Sequence, residues 1–274
     1  MHITGYAFIV GGGNGIGRAC ALTIAKDGAA GILVADIDTT AAAETASECR
    51  DVSTNADFRV ETTNVDITDE KSVKTAAALM ITTFGSMDHC VNCAGVSPGA
   101  HAEIADSDTT AFQQTLDVNI CGTFLVIREA SARMRAQEPR RLLSVLGDGR
   151  GFTRGSIVVL GSAASYVATP RIAPYTAAKH AVVGMVKTAA IDNIAHAIRV
   201  NAVCPSFVNT PAVRAALDSD PKLEEAIAKM HPMGRITNAE EVADAVSFLC
   251  SDRSSYMTGC GLLVDGGSTL TCHV

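Results

Sequence analysis

Three residues in the second half of the chain have side chains and a spacing suited to proton transfer. Ser162 lies thirteen residues before Tyr175, and Lys179 follows Tyr175 by four residues. Residues four apart share one face of a helix, so the phenol and the ammonium would be neighbours. A free phenol has a pKa of about 10, and a nearby positive charge favours the phenolate and lowers that pKa. The pattern predicts Tyr175 as a general acid/base, with Ser162 holding the oxygen that gains or loses the proton.

A glycine-rich turn near the amino terminus is a second, independent signal. Apolar residues 5–10 predict a strand, the run GGGNGIG follows at 11–17, and apolar residues then recur at helical spacing. Glycines at 11, 15 and 17 allow a tight turn and let a pyrophosphate approach backbone N–H groups at the helix start. A second apolar strand ends at Asp36, whose carboxylate could accept hydrogen bonds from a ribose 2′-hydroxyl.

The charges around this turn favour NAD over NADP. A 2′-phosphate would meet like-charge repulsion at Asp36. The turn carries Asn14 where a lysine or arginine could have paired with a phosphate. Arg18 is the nearby cation, and we expect Asp36 to engage it.

With these residues in hand, the chain resembles the short-chain dehydrogenase/reductase family, fungal NAD-dependent members in particular, over nearly its whole length. Three positions depart from the family pattern: Val10 replaces a threonine, Cys93 an asparagine and Ser206 a glycine. None of these departures removes a chemically reactive group. The matching segments are the glycine turn, NVDIT (64–68), NCAG (92–95), DVNICGTF (117–124), the Ser–Tyr–Lys set, RVNAVCPSFVNTP (199–211) and TGCGLLVDGG (258–267).

The resemblance implies roles for individual residues. The catalytic set would be Asn119, Ser162, Tyr175 and Lys179. Lys179 would also hold the nicotinamide ribose hydroxyls, and Asn119 would fix a water that carries the proton onward. No metal is implied. The implied NAD contacts are Gly11, Asn14, Gly15, Ile16, Gly17, Asp36, Ile37, Asp66, Ile67, Asn92, Ala94, Gly95, Tyr175, Lys179, Pro205, Val208 and Thr210.

The implied function is an NAD-dependent alcohol dehydrogenase or ketoreductase. We expect a lipophilic, cyclic secondary alcohol of terpenoid, steroid or polyketide type, as in specialised metabolism. An isomerase, epimerase or lyase that uses the same site with bound NAD is the alternative enzyme class. A nonenzymatic dinucleotide sensor is a third reading, but a sensor has no need of a proton relay.

Composition excludes several other classes. A net charge of −7 argues against binding to nucleic acid or anionic lipid. The chain has no uninterrupted apolar run of about 18 residues and no signal-like start, so we expect a cytoplasmic protein without a membrane span. Of the nine cysteines, Cys90 and Cys93 form a C-x-x-C. A zinc or redox site is conceivable there, but no second pair completes a metal set, so core packing is the preferred reading.

The pattern of elements predicts one α/β domain over residues 1–274, a Rossmann-like, doubly wound parallel sheet with helices on both faces. Residues 137–155 form an insertion that is either a surface loop, a rim of the active site or a subunit contact. Residues 205–236 are a predicted substrate lid whose apolar side chains face the substrate or fix the lid to the body. Apolar surface on the helices 108–136 and 173–195 predicts a homodimer or homotetramer. Strands are predicted near 5–10, 31–36, 57–63, 87–92, 156–161, 198–203 and 261–265, and helices near 15–28, 39–51, 69–85, 108–136, 173–195, 211–218, 222–230 and 239–251.

Overall fold

A computed structural model describes residues 1–97, 101–142, 149–219 and 221–270. Part of the predicted insertion (143–148), one residue of the predicted lid (220) and Cys272 lie outside these residues. The strands are β1 Tyr6–Val10, β2 Gly31–Asp36, β3 Arg59–Asn64, β4 His89–Asn92, β5 Arg140–Arg141, β6 Phe152–Thr153, β7 Gly155–Leu160, β8 Ile198–Pro205, β9 Val208–Asn209, β10 Thr237–Asn238 and β11 Gly261–Val264. The helices are α1 Gly15–Lys26, α2 Thr39–Val52, α3 Glu70–Phe84, α4 Thr109–Leu116, α5 Thr123–Arg135, α6 Ala173–Ile194, α7 Pro211–Ser219, α8 Pro221–Met230 and α9 Ala239–Cys250.

Seven strands form the central sheet in the order β11-β8-β7-β4-β1-β2-β3. All six neighbouring pairs are parallel. The strand order reverses between β1 and β4, which is the point where open α/β sheets bind ligands at the carboxyl ends of their strands. The predicted doubly wound parallel sheet is confirmed.

Two apolar cores lie on opposite faces of this sheet. Successive strand residues point to opposite faces, so Phe8 packs with one core and Ile9 with the other. The first core contains side chains of α3, α5 and α6, and the second contains side chains of α1, α2 and α9. Strands covered on both faces carry near-continuous apolar runs, as the fully buried β7 does over residues 157–160.

The predicted helix over 108–136 is wrong in one respect, because it is not a continuous α-helix. Asp117–Gly122 forms a π-helical turn between α4 and α5. One such turn adds a residue to the helix and often occurs at functional positions. Here it contains the buried Asn119.

A row of polar side chains lies at the amino ends of the central strands. His89, Ser156 and Arg199 are neighbours on β4, β7 and β8. Ser156 Oγ donates to the carbonyl of Leu249 at 2.8 Å, and Arg199 Nη2 donates to the same carbonyl at 2.9 Å. Arg199 also reaches the carbonyl of Cys250, at 3.4 Å. The last carbonyls of a helix have no partner within it, so these side chains satisfy the end of α9.

The described part of the insertion lies at this same end of the sheet. β5 and β6 form a short antiparallel pair. Arg140 forms an ion pair with Asp252, just after α9, at 2.7 Å. Arg154 Nη1 donates to the carbonyl of His196, just before β8, at 3.1 Å. These contacts are at the amino ends of the strands, whereas Ser162 follows the carboxyl end of β7, so the described part of the insertion does not form a rim of the predicted site.

The predicted lid contains α7 and α8. Two short paired strands, β9 and β10, join the parts of the chain that enter and leave these helices. β9 and β10 pair in parallel, with Val208 opposite Thr237. Leu217, Ile227 and Ile236 are buried in a small cluster of their own. This cluster holds the lid helices together, whereas Phe207 and Met233 are exposed, so the prediction that apolar lid residues face the substrate stays a prediction. In the described residues no helix is both long and apolar enough to cross a membrane.

Candidate active site

The glycine turn after β1 is packed backbone against backbone. A Cβ added to Gly17 would lie 1.9 Å from the carbonyl oxygen of Gly11. A Cβ on Gly11 would lie 2.5 Å from the backbone nitrogen of Ala94, and Gly11 has a φ of 74°. No side chain fits at either position, so the turn presents bare backbone at the start of α1. Such a cradle fits the pyrophosphate of a dinucleotide.

Asp36 lies at this turn, at the end of β2. Its carboxylate accepts hydrogen bonds from the backbone N–H of Gly13 at 2.8 Å and of Asp38 at 2.9 Å. The expected contact between Arg18 and Asp36 is wrong, because Arg18 on α1 pairs with Glu48 on the adjacent α2. Within the described residues Asp36 has no ion-pair partner, so its negative charge is not neutralised by a cation.

Ser162 and Tyr175 are brought together from two elements. Ser162 follows β7 and caps a short 3₁₀ turn, Ala163–Ser165, by accepting from the N–H of Ala164 at 3.1 Å. Tyr175 lies in the first turn of α6. A hydrogen bond between the Ser162 and Tyr175 side chains lowers the pKa of Tyr175, but burial, the larger cause, raises it above the ordinary value.

Lys179 lies one turn beyond Tyr175 on α6, as the spacing predicts. Its Nζ is 5.6 Å from the centre of the Tyr175 ring and donates to the carbonyl of Leu160 at 2.8 Å. Burial lowers the pKa of Lys179 to about 8. The expectation that the ammonium would depress the pKa of Tyr175 is therefore wrong for this arrangement, because desolvation dominates at both groups.

Ser165 supports this group, although sequence reasoning left it out. Its Oγ accepts from the N–H of Ser162 at 3.2 Å and donates to the carbonyl of Lys179 at 2.7 Å. One buried hydroxyl thus ties the Ser162 turn to α6. The signal was present in the sequence, since Ser162 and Ser165 have the spacing of a capping box, which the structure contains.

The π-helical turn places Asn119 beside Lys179. Asn119 Oδ1 accepts from the N–H of Val96 at 3.0 Å, and Nδ2 donates to the Val96 carbonyl at 3.0 Å. A Cβ on the intervening Gly95 would lie 2.7 Å from Asn119 Oδ1 and 3.9 Å from Lys179 Nζ. The amide of Asn119 is therefore bound to the backbone after β4, and the side chain fixes that turn.

The other predicted cofactor residues surround the glycine turn and the carboxyl ends of β2, β3, β4 and β8. Asn14 precedes α1, and its side chain makes no capping hydrogen bond. Thr210, at the base of the lid, approaches the turn closely, since a Cβ on Gly15 would lie 3.2 Å from its Cγ2. Asn92 Nδ2 donates to Thr123 Oγ1 at 3.3 Å, at the start of α5.

The remaining predicted cofactor residues differ in their burial and in the contacts that they make. Asp66 accepts from the side chain of Thr68 at 2.7 Å. Ile37 is exposed beside Asp36, whereas Ile67 is buried and Ile16 packs against the second core. Pro205 ends β8 and Val208 begins β9.

The C-x-x-C pair does not converge on one site. Cys90 points into the first core, whereas Cys93 packs against the second. The Sγ of Cys93 is 3.9 Å from that of Cys20 on α1. Burial raises the pKa of the Cys90 thiol. Across the described ranges no three histidine, cysteine or acidic side chains are grouped so that they could hold a metal.

Comparison with known proteins agrees with this geometry. A family model described as enoyl-(acyl carrier protein) reductase matches residues 11–269. The short-chain dehydrogenase fogB of Aspergillus ruber is 53% identical over 271 residues, which are 99% of each chain. The chain belongs to the short-chain dehydrogenase/reductase family. The resemblance predicted from its motifs, including the likeness to fungal members, is confirmed.

More distant members of the family extend the comparison. The 2,5-dichloro-2,5-cyclohexadiene-1,4-diol dehydrogenase of Sphingobium indicum (strain UT26) is 37% identical and covers 95% of each chain. The crystal structure of levodione reductase superposes with a TM-score of 0.87 at 27% identity, covering 99% of this chain and 100% of that one. Membership makes the chain an oxidoreductase of a family that typically binds a nicotinamide dinucleotide.

Proposed function

We propose that the chain is an NAD-dependent dehydrogenase or ketoreductase that interconverts a secondary alcohol and a ketone on a lipophilic, cyclic small molecule. The observation that carries this proposal is the proximity of the Ser162 and Tyr175 side chains, with Lys179 one helical turn away and its Nζ 5.6 Å from the centre of the Tyr175 ring. An acid/base phenol next to a second hydroxyl can bind one substrate oxygen from two sides.

Each of these residues has a task that its position supports. In the reducing direction Tyr175, which keeps its proton because its pKa is raised, donates that proton to the ketone oxygen, and in the oxidising direction the phenolate takes the proton back from the alcohol. Ser162 donates a hydrogen bond to the same oxygen. Lys179, positively charged below a pKa of about 8, would hold the ribose hydroxyls of the nicotinamide nucleotide, as the family pattern implies. Ser165 and Asn119 hold the two turns that place these groups. NAD, when bound, supplies the acceptor for the hydride that leaves the carbinol carbon.

NAD is the proposed cofactor because of the charge at the glycine turn. The carboxylate of Asp36 is fixed by the N–H groups of Gly13 and Asp38. Held there without a neighbouring cation in the described residues, it can accept from ribose hydroxyls and repels a 2′-phosphate. The glycine turn would hold the pyrophosphate, with the other cofactor contacts as the family pattern implies.

The proposed substrate class rests on two exposed apolar side chains of the lid. Phe207 and Met233 are 40% and 71% exposed. A large exposed apolar side chain is informative when it lies next to a site. The Sphingobium relative is named for a cyclic diol, which agrees with a cyclic alcohol here. A terpenoid, steroid or polyketide intermediate in the cytoplasm fits this proposal.

Assembly into a homodimer or homotetramer is part of the proposal. Ile191 and Ile194, on α6, are 72% and 59% exposed, and Phe124 at the start of α5 is 48% exposed. These side chains extend the apolar surface of the two helices beyond what the sheet buries. A second copy of the same helices across a two-fold axis would cover it.

A single substitution tests the chemistry. Tyr175→Phe keeps the ring and removes the hydroxyl, so turnover of a cyclic alcohol such as borneol with NAD should fall about 10³-fold. Tyr166→Phe is the matched control, because the Tyr166 hydroxyl bonds to the carbonyl of Gly261 at 3.0 Å, away from Tyr175. Full turnover in Tyr175→Phe would refute the proposal. Product formation without net NADH would instead favour the isomerase, epimerase or lyase.

A further inference from the structure

A partly buried hydrogen bond joins Ser206, just after β8, to His231, just after the lid helix α8. Ser206 stands where the family pattern has a glycine, between Pro205 and Phe207. Its backbone N–H donates to the carbonyl of Val264 on the edge strand β11, at 3.3 Å. Its side-chain Oγ lies within hydrogen-bond distance of His231 Nε2.

The bonding of His231 fixes the direction of this hydrogen bond. His231 is 3% exposed, and its Nδ1 lies 2.7 Å from the carbonyl oxygen of Ile227. A carbonyl can only accept, so Nδ1 carries the hydrogen. In the neutral ring Nε2 is then an acceptor, and the hydroxyl of Ser206 donates to it. Both ring nitrogens are thereby occupied, one by the lid helix α8 and the other by Ser206.

The same imidazole also contacts Phe207. The two rings meet edge to face, with their centres 6.2 Å apart and their planes at 78°. The carbonyl of Phe207 accepts from the N–H of Thr237 at 3.0 Å, at the other end of the lid. His231 therefore contacts both the side chain of Ser206, the residue before Phe207, and the Phe207 ring itself. A glycine at 206 would leave Nε2 without this partner.

We propose that Ser206 and His231 are positioning residues that hold α8 against segment 205–210 and set the orientation of Phe207. This inference rests on the proposed function, because Phe207 belongs to the surface assigned there to a lipophilic substrate. The link acts on substrate affinity and on lid opening. It does not act on the chemical step, which belongs to Tyr175, Ser162 and Lys179.

The experiment compares Ser206→Ala, His231→Phe and the double variant with the wild-type protein. Hydrogen exchange of the backbone N–H groups in 206–210 and 231–238 should speed up about tenfold in each single variant. The KM for the alcohol that the wild type oxidises should rise about tenfold, with kcat within threefold. The double variant should be no worse than His231→Phe, which also removes the bond to the Ile227 carbonyl, because the bond that Ser206→Ala removes is already absent there. Ser206→Thr keeps a hydroxyl and should restore wild-type values.

A matched control separates a local effect from a loss of overall stability. Ser247→Ala removes a buried hydroxyl that bonds to Asp27, on the far side of the molecule. It should lower the melting temperature without changing exchange in 206–210. Unchanged exchange in Ser206→Ala, or the same change in Ser247→Ala, would overturn the inference. Altered exchange in a protein that oxidises no alcohol would leave the inference standing and refute the proposed function instead.

Discussion

Two cations that bond to backbone carbonyls, the half-buried Arg199 and the buried Lys179, lie at opposite ends of the central sheet, and their surroundings differ. Arg199, at the amino end of β8, bonds to the carbonyls of Leu249, Cys250, Ser251 and Met257. Lys179, near the carboxyl end of β7, bonds to the carbonyl of Leu160. Burial lowers the pKa of both, but a guanidinium stays charged throughout the accessible pH range. We expect the first cation to stabilise the fold and the second to lower its stability, a cost that its proposed catalytic role would explain.

The largest expected effect is at the amino end. Arg199→Met should lower the free energy of unfolding by about 3 kcal/mol, because several carbonyls at the end of α9 lose a charged donor. Urea unfolding measures this, and turnover per folded molecule should be unchanged. Arg150→Met is the control, since among the described residues Arg150 donates a single hydrogen bond, 2.9 Å long, to the carbonyl of Asp252. Equal losses in the two variants would contradict the comparison.

A gain in the free energy of unfolding is expected at the carboxyl end of the central sheet. Lys179→Met should raise the free energy of unfolding by about 2 kcal/mol at pH 7, while turnover is lost. Lowering the pKa from 10.5 to about 8 corresponds to a penalty of ~3 kcal/mol, and the unpaired Leu160 carbonyl offsets part of the gain.

The pH dependence of this gain follows from the direction of the shift. The unfolded chain keeps the Lys179 proton up to about pH 10.5, whereas the folded protein releases it at about pH 8. The penalty is complete below pH 8 and fades between pH 8 and 10.5. Unfolding measured at pH 7 and pH 10 should therefore show the difference between variant and wild type shrinking. A constant difference would contradict the assigned cause.

A smaller effect concerns the cofactor turn, also at the carboxyl end. Asp36→Ala should reduce the preference for NAD over NADP about tenfold, because the charge that repels a 2′-phosphate is gone. Titration with each dinucleotide measures the preference. Asp38→Ala is the matched control, since Asp38 caps α2 and should affect stability alone. Equal or tighter binding of NADP by the wild type would show the assignment to be wrong.

The smallest effect compares two strained positions, one at each end of the sheet. Arg171 and Ala197 have φ angles of 69° and 57°, which disfavour residues other than glycine. Replacing either by glycine should raise the free energy of unfolding by about 0.5 kcal/mol, since relief of strain exceeds the added entropy of the unfolded chain. Arg171 lies between Ser162 and Tyr175, so only Arg171→Gly should also change KM. A change of KM in Ala197→Gly would contradict this difference between the two positions.

Local patterns in the sequence identified the fold and predicted which residues would lie near one another at the candidate site, because both depend on short-range signals. Apolar runs and helical spacing located the elements, and the interval from Tyr175 to Lys179 placed both on one face of α6. The partner of Arg18 could not be predicted, because Glu48 becomes its neighbour only when α1 packs against α2. The direction of the Tyr175 pKa shift depends on burial, which spacing does not report. The Ser206–His231 bond joins residues 25 positions apart and has no local signature.

The pairing of β9 with β10 makes the segment between these strands easy to replace. The segment from 210 to 236 leaves and rejoins the body at two strands that are already paired, Val208 opposite Thr237 and Asn209 opposite Asn238. Because the ends are held together, exchanging what lies between them changes the closure entropy only slowly with length. The segment can thus be exchanged between relatives or varied in a library while the proposed proton-transfer residues stay in place. Selectivity can then change in evolution or in the laboratory without rebuilding the sheet.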